Sequence, residues 1–376
     1  MLVGVPKEIK NNEFRVGMTP SGVQELIQQG HQVIVQKAAG EAIGFTDAMY
    51  VQAGGTLADH AEAVFAKADM IVKVKEPQIA ECAMMREGQL LFTYLHLAPD
   101  PEQAKGLIAS GCVAIAYETV TDNDGSLPLL TPMSEVAGRL SIQAGCRCLE
   151  KPQGGMGLLL GGVPGVAPAK VVVIGGGVVG TNAIRMAIGM EADVVVLDKS
   201  LSRLQALDMQ FGAKLRTIFA SRGNLETHIY NADLVICAVL VAGDAAPMLI
   251  EKSMLSKMKP HSVIVDVAID QGGCCETSKA TTHEDPTYMV DGIMHYCVAN
   301  MPGAVPKTSS VALSNATLPF VIDLANKGYD RAMAEDPHLR NGLNIYRGQV
   351  TYEAVANVLE LPYVSAQEAI NHDRHG

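Results

Sequence analysis

Short runs of consecutive apolar residues, rich in valine and isoleucine, punctuate the chain, with longer stretches of mixed apolar and polar residues between them. An apolar run without polar alternation reads as a strand buried on both faces, the mark of a parallel sheet covered by helices. In the first part of the chain such strands are expected at Leu2–Pro6, His31–Val35, Asp69–Val74, Gln89–Leu95 and Cys112–Glu118. Helices are expected between them. One runs from Pro20 to about Gln29, opened by a Thr19-Pro20 cap and ended by Gly30; another, Pro101–Ala109, is closed by Gly111. The connections are too long for hairpins, so this part is expected to form a parallel α/β sheet.

A long helix is expected from about Met133 to Glu150 as a connector, followed by a stretch of glycine and proline, 152–169. That stretch reads as an ordered loop packed on a neighbouring surface, such as another subunit, because disorder would expose Leu158–Leu160. Strands then follow at Lys170–Ile174, Val194–Leu197, Leu215–Phe219, Leu234–Val239, Val263–Val267 and Ile293–Val298, six in all. Past Asn300 the pattern is helical, at Ser309–Lys327, Asp330–Glu335 and Gln349–Leu359, and these helices are expected to return to the first domain.

The stretch 170–198 adds chemistry to this pattern. Its first strand runs into Gly175-Gly176-Gly177-Val178-Val179-Gly180, then a helix, then a second strand ending in Asp198. Gly175 permits the tight turn, Gly177 lets the backbone approach a pyrophosphate, and Gly180 lets helix and strand pack closely. The first helical amides, at the positive end of the helix dipole, face the phosphates. Asp198 stands where a carboxylate accepts hydrogen bonds from an adenosine ribose, which favours NAD over NADP; Arg203 nearby weakens that preference. The bland reading is an ordinary strand–helix turn. The whole is expected to be α/β, with two doubly wound parallel-sheet domains and a cleft between them: a Rossmann-type NAD-binding domain (131–304) and a Rossmann-like substrate domain (1–130 with 305–376).

Composition narrows the function classes. With 48% apolar and 18% charged residues, the chain reads as globular rather than disordered. A net charge of −11 without a basic cluster argues against nucleic acid. The eight cysteines include no C-x-x-C pair, so no zinc or redox motif is expected, and reduced buried thiols suit the cytoplasm. Neither a signal peptide nor a membrane span is expected, because 156–184 holds too much glycine and proline to cross a bilayer.

Ligands of open parallel sheets bind at the carboxyl ends of strands. The polar residues expected there are Lys75, His96, Asp270 and Asn300, with Arg15 in the loop after the first strand. Each also has a bland reading: solvated cations at Arg15 and Lys75, a loop histidine at His96, a turn former at Asp270. Together they suit hydride transfer between a nicotinamide and a small α-substituted acid. Arg15 can hold a carboxylate and Lys75 can polarise an oxygen. Histidine exchanges protons near neutrality, and an ionised Asp270 can face a developing cation. No metal ligands are expected.

MLVGVPKEIKNNEFRVGMTP, VKVKEP, LFTYLHLAPD, TPMSEVAGRLSIQAG, GGVPGVAPAKVVVIGGGVVG, VIVDVAIDQGGC and YCVANMPGAVPKTSS resemble the alanine dehydrogenase family, from residue 1 to about 330. The resemblance implies reversible oxidative deamination of L-alanine with NAD to pyruvate and ammonium, in a homohexamer. It implies Arg15 and Lys75 as substrate-holding residues and His96 and Asp270 as the catalytic pair. The implied nucleotide contacts are Ser134, Gly177, Val178, Val179, Asp198, Arg203, Val239, Leu240, Val267 to Asp270, and Val298 to Met301, Asn300 included. Ala220 stands where relatives often carry a serine. Two rival readings stay open: the NAD-binding subunit of a proton-pumping transhydrogenase, and an amino-acid dehydrogenase for a larger substrate such as lysine or saccharopine.

Overall fold

The computed structural model describes residues 1–239 and 246–375. The chain divides into two compact units, Met1–Pro132 with Val305–Gly376, and Met133–Ala304.

In the first unit the parallel strands are β1 (Leu2–Val5), β2 (Gln32–Gln36), β3 (Thr56–Ala58), β4 (Met70–Val72), β5 (Leu90–Thr93) and β6 (Val113–Ala116). They lie in the order β3-β2-β1-β4-β5-β6, the doubly wound arrangement whose winding reverses between β1 and β4. β4, β5 and β6 are buried at every residue, as their unbroken apolar runs require. Ile71, Leu91, Val64, Phe65, Leu95 and Leu107 form the core of one face. Each such side chain contributes about 1.5–3 kcal/mol on leaving water.

The second unit repeats the arrangement. Its strands are β7 (Lys170–Ile174), β8 (Asp193–Asp198), β9 (Leu215–Phe219), β10 (Leu234–Cys237), β11 (Val263–Asp266), β12 (Thr287–Val290) and β13 (Ile293–Tyr296), in the order β12-β13-β11-β10-β7-β8-β9. Here the winding reverses between β7 and β10, which puts Gly175 at the switch point.

Three expectations are corrected. The second sheet has seven strands, not six: β12 pairs antiparallel with β13 through Asp291-Gly292, both at positive φ. Such a turn matches the strand twist, and Asp-Gly is its usual sequence. The first sheet is mixed rather than parallel. The C-terminal segment adds β14 (Leu343–Tyr346) antiparallel to β6, and β15 (Gln349–Val350) follows through Arg347-Gly348, again at positive φ. Gln349 and Val350 therefore belong to a strand, and the helix begins at Glu353. Among the described residues no helix is long and apolar enough to cross a membrane.

Candidate active site

In the second unit the glycine turn has the shape its sequence demands. Gly175 has φ +96°, and a Cβ there would stand 2.9 Å from the Ala238 carbonyl oxygen. A Cβ on Gly180 would stand 1.8 Å from the Gly175 carbonyl oxygen, so glycine alone lets the helix Val178–Gly189 start against β7. At Gly177 a Cβ would meet nothing within 4 Å, so the turn is open on the face where a ligand must approach the backbone. Val178 and Val179 open the helix, where amides have no intrahelical acceptor. Ser134 lies one helical turn before Gly138 on the helix Thr131–Leu149, and a Cβ on Gly138 would stand 2.2 Å from the Val179 carbonyl oxygen.

Asp198 ends β8 and braces the turn. Its Oδ2 accepts from the Gly176 amide at 2.7 Å and its Oδ1 from the Ser200 amide at 2.8 Å. Arg203 is committed to the same turn, donating through Nε to the Gly176 carbonyl and through Nη2 to the Thr181 hydroxyl. Past the ends of β8 and β9 lies a cavity of about 220 Å³, lined by Lys199, Ala220, Leu225, Met248 and Leu249 among others.

The neighbouring strands complete this edge. Val239 follows β10, its Cγ2 3.0 Å from a Cβ built on Gly175; Leu240 lies outside the described residues. Val267 to Asp270 form a 3-10 turn, Val267–Gln271, directly after β11. Asp270 is exposed at its end, and its Oδ1 accepts from the Asn300 amide at 3.4 Å. Asn300 holds φ +60°, rare outside glycine, with Val298 and Met301 buried on either side.

The first unit gathers its polar residues in the same way. Arg15 follows β1, Lys75 follows β4 and His96 follows β5, at the carboxyl ends of adjacent parallel strands. Arg15 is 2% exposed, which overturns the reading as a solvated cation. Glu13 grips it, accepting from Nε at 2.7 Å and from Nη2 at 2.6 Å. Burial pulls the guanidinium pKa down and the Glu13 pair more than restores it. The segment is pinned to the sheet at Gly17, where a Cβ would stand 2.5 Å from the Val72 carbonyl oxygen. The Lys75 side chain is 14% exposed, with Nζ 3.5 Å from Glu76. Burial would raise the Glu76 carboxyl, yet Lys75 and Lys10 beside it hold it below its ordinary value.

His96 presents an imidazole with a side chain 46% exposed from a left-handed backbone, φ +46°. For a non-glycine residue that conformation costs about 1–3 kcal/mol and persists where its surroundings impose it. Here Glu118, after β6, accepts from the His96 amide at 2.7 Å and from the Leu95 amide at 3.1 Å. Its Oε1 also lies 3.9 Å from His96 Nδ1, and the ring stacks on Tyr94 at 5.9 Å.

Sequence reasoning passed over Glu118, Glu13 and the wholly buried Lys73. The signal for Glu118 was present, since it ends an apolar run as His96 nearly does. Lys73 donates to Glu8 at 3.0 Å and to Glu81 at 2.8 Å, and Glu8 also accepts from the Val74 amide at 2.7 Å. This triad anchors the strand end that carries Lys75. One further group escaped notice: the buried side chains of Asp266 and Cys274, eight residues apart, converge with Cys237 from the preceding strand in the second unit.

Two doubly wound sheets, one with an open glycine turn followed by a strand-end carboxylate, are the architecture of the dinucleotide-binding enzymes. Two family models, described as alanine dehydrogenase/PNT N-terminal and C-terminal domains, match residues 4–137 and 141–353. An alanine dehydrogenase of Halomonas elongata is 58% identical over 370 residues, covering 98% of this chain and 100% of that one. A solved structure titled L-alanine dehydrogenase superposes with a TM-score of 0.93 at 51% identity, over 96% of this chain and 99% of that one. A transhydrogenase structure from Sinorhizobium meliloti shares the fold, with a TM-score of 0.81 at 23% identity over 94% of this chain and 100% of that one. The chain belongs to the alanine dehydrogenase/PNT family, and it is an NAD-dependent enzyme.

Proposed function

We propose that the chain catalyses the reversible oxidative deamination of L-alanine to pyruvate and ammonium with NAD. The observation that carries this reading is the set Arg15, Lys75 and His96 at adjacent strand ends, in a chain 58% identical to an alanine dehydrogenase over its whole length. Arg15, held by Glu13, takes the substrate carboxylate. Lys75 stabilises negative charge on the carbonyl oxygen in the pyruvate direction. NAD, when bound, supplies the hydride acceptor. Loss of hydride from Cα leaves iminopyruvate, whose cationic nitrogen Asp270 stabilises. His96 then takes a proton from the water that adds to the imine carbon and returns one to the departing ammonia.

Ser134, Gly175, Gly177 to Gly180, Asp198, Arg203, Val239, Leu240, Val267 to Asp270 and Val298 to Met301 bind the nucleotide. The cavity containing Ala220 and Met248 suits the adenine. Asp198 opposes a 2′-phosphate by like charge, and Arg203 is engaged by the turn carbonyl and the Thr181 hydroxyl. The exposed Leu159, Val163 and Val166 of the glycine-rich loop support a contact with another subunit, and the assembly proposed from the family is a homohexamer. Eight free thiols accord with a cytoplasmic protein.

The test is absorbance at the NADH band with L-alanine and NAD, run beside NADP and beside L-lysine. Growth with alanine and NAD alone is expected. Tight NADH binding without alanine-dependent turnover would replace this reading with a nucleotide-binding module, and turnover with lysine would assign a larger substrate.

A further inference from the structure

Cys237 ends β10 and Asp266 ends β11, and the two are register partners on adjacent parallel strands. Cys274 comes back from the following turn, so that the two thiols are hydrogen-bonded to each other and all three residues are fully buried. The two sulfurs and a carboxylate oxygen lie within 4.8 Å of one another, and Cys274 Sγ stands 3.8 Å from Asp266 Oδ1. A tetrahedral zinc-like ion has S···S edges of about 3.8 Å and S···O edges of about 3.6 Å, from metal–ligand bonds of about 2.3 and 2.1 Å. The Cys274–Asp266 pair thus stands close to the length of one such edge, and all three donor atoms lie near enough to close around one ion.

We propose that Cys237, Asp266 and Cys274 form a buried site for a soft divalent cation of the zinc–cadmium class. A donor set of two thiolates and one carboxylate selects a thiophilic ion over magnesium or calcium. Charge balance permits it in an apolar core: as one dication enters, the two thiols release two protons, and the net charge of the site is unchanged. Cys275 stands outside the set, because its thiol is engaged by Thr277 at 3.1 Å and faces His295 at 3.8 Å. The fourth position falls to a small exogenous ligand such as water or chloride.

Occupancy has a structural consequence. Asp266 Oδ1 accepts from the Ala268 amide at 3.1 Å, while Oδ2 accepts from the Cys274 amide at 3.0 Å and the Ser278 hydroxyl at 2.5 Å. These bonds shape the turn Val267–Gln271, which ends near Asp270. An ion drawing on Oδ1 competes with the Ala268 amide and displaces that turn, so the loaded protein loses alanine-dependent turnover. This consequence, unlike the binding itself, rests on the function proposed above.

The experiment is a cadmium titration of the full chain, reading the ultraviolet sulfur-to-cadmium charge-transfer absorption and the protons released into weak buffer. One equivalent of cadmium and two protons per chain are expected. The absorption should vanish in Cys237→Ser and in Cys274→Ser and persist in Cys82→Ser, whose thiol lies in the first unit. Cadmium-113 NMR of the unaltered chain reads the donors directly, whether or not the serine variants fold; two sulfurs with oxygen are expected. Absence of the absorption at stoichiometric cadmium, its survival in both serine variants, or a resonance of an all-oxygen or four-sulfur site would overturn the proposal. Binding without loss of turnover would remove only the coupling to the turn.

Discussion

Replacement of Lys73 by methionine tests how charge is balanced beneath the proposed substrate site. Lys73 is 1% exposed, with Glu8 and Glu81 as its partners at 6% and 1%. Methionine retains much of the stem's volume but removes the ammonium, which leaves two carboxylates facing each other in the core. Burial already raises the Glu8 carboxyl despite Lys73 beside it. Breaking a buried pair by removing one partner costs about 3–5 kcal/mol, since the surviving charge is uncompensated. For a unit of this size each kcal/mol shifts Tm by about 2–4 °C, so Lys73→Met should lower the apparent Tm by roughly 6–20 °C. Scanning calorimetry at a fixed scan rate is the assay. Adding Glu8→Gln and Glu81→Gln to Lys73→Met removes the stranded charges while keeping an acceptor for the Val74 amide, and should recover at least half of the loss. A shift below about 2 °C for Lys73→Met, or no recovery in the triple variant, would refute the argument that the triad is held by compensation of charge.

The same triad fixes a pH dependence. The Lys73 pKa is raised above its ordinary 10.5, because its two carboxylates outweigh the effect of burial, so its contribution is complete below 10.5 and is lost as pH rises through the higher folded value. Apparent Tm against pH should therefore fall on the alkaline side more steeply in the unaltered chain than in Lys73→Met; parallel curves would exclude this source. His96→Ala should reduce turnover by about 10²-fold or more with NADH affinity intact, as measured by fluorescence titration, and near-normal turnover would remove it as general acid/base. Glu118→Ala strands the Leu95 and His96 amides and releases the strained backbone, so kcat should fall by about tenfold while NADH affinity holds. Glu118→Gln, which keeps an acceptor, should retain most of the rate; equal loss in both would point to the charge instead. Asp198→Ala should raise the ratio of NADP to NAD use in kcat/KM, and an unchanged ratio would count against a ribose contact.

Much of the architecture was legible in the sequence because its signals are local. Runs rich in apolar and β-branched residues located eleven strands that the structure contains, and the glycine spacing marked the turn that Gly175 and Gly180 make through contacts a Cβ would forbid. Strand-end position singled out Arg15, Lys75 and His96. Two hairpins do not show in the apolar runs, although Asp291-Gly292 is the usual turn sequence for one of them, because β12 lies at the sheet edge and is only partly buried. β14 carried no such announcement: its antiparallel pairing with β6 joins segments more than two hundred residues apart, and no local preference encodes that partner.

The order of strands and helices, the glycine turn and the polar residues at the strand ends are encoded locally. These follow from periodicity and backbone sterics, which act over a few residues. Tertiary structure alone decided which charges are buried and with whom. Arg15 reads as a surface cation until Glu13 closes on it, and Lys73 as an ordinary lysine until Glu8 and Glu81 surround it. Cys237, Asp266 and Cys274 are unrelated positions until β10 and β11 pair. Desolvation and hydrogen-bond geometry depend on what the rest of the chain brings within a few ångströms, and that is set by packing across the sheet.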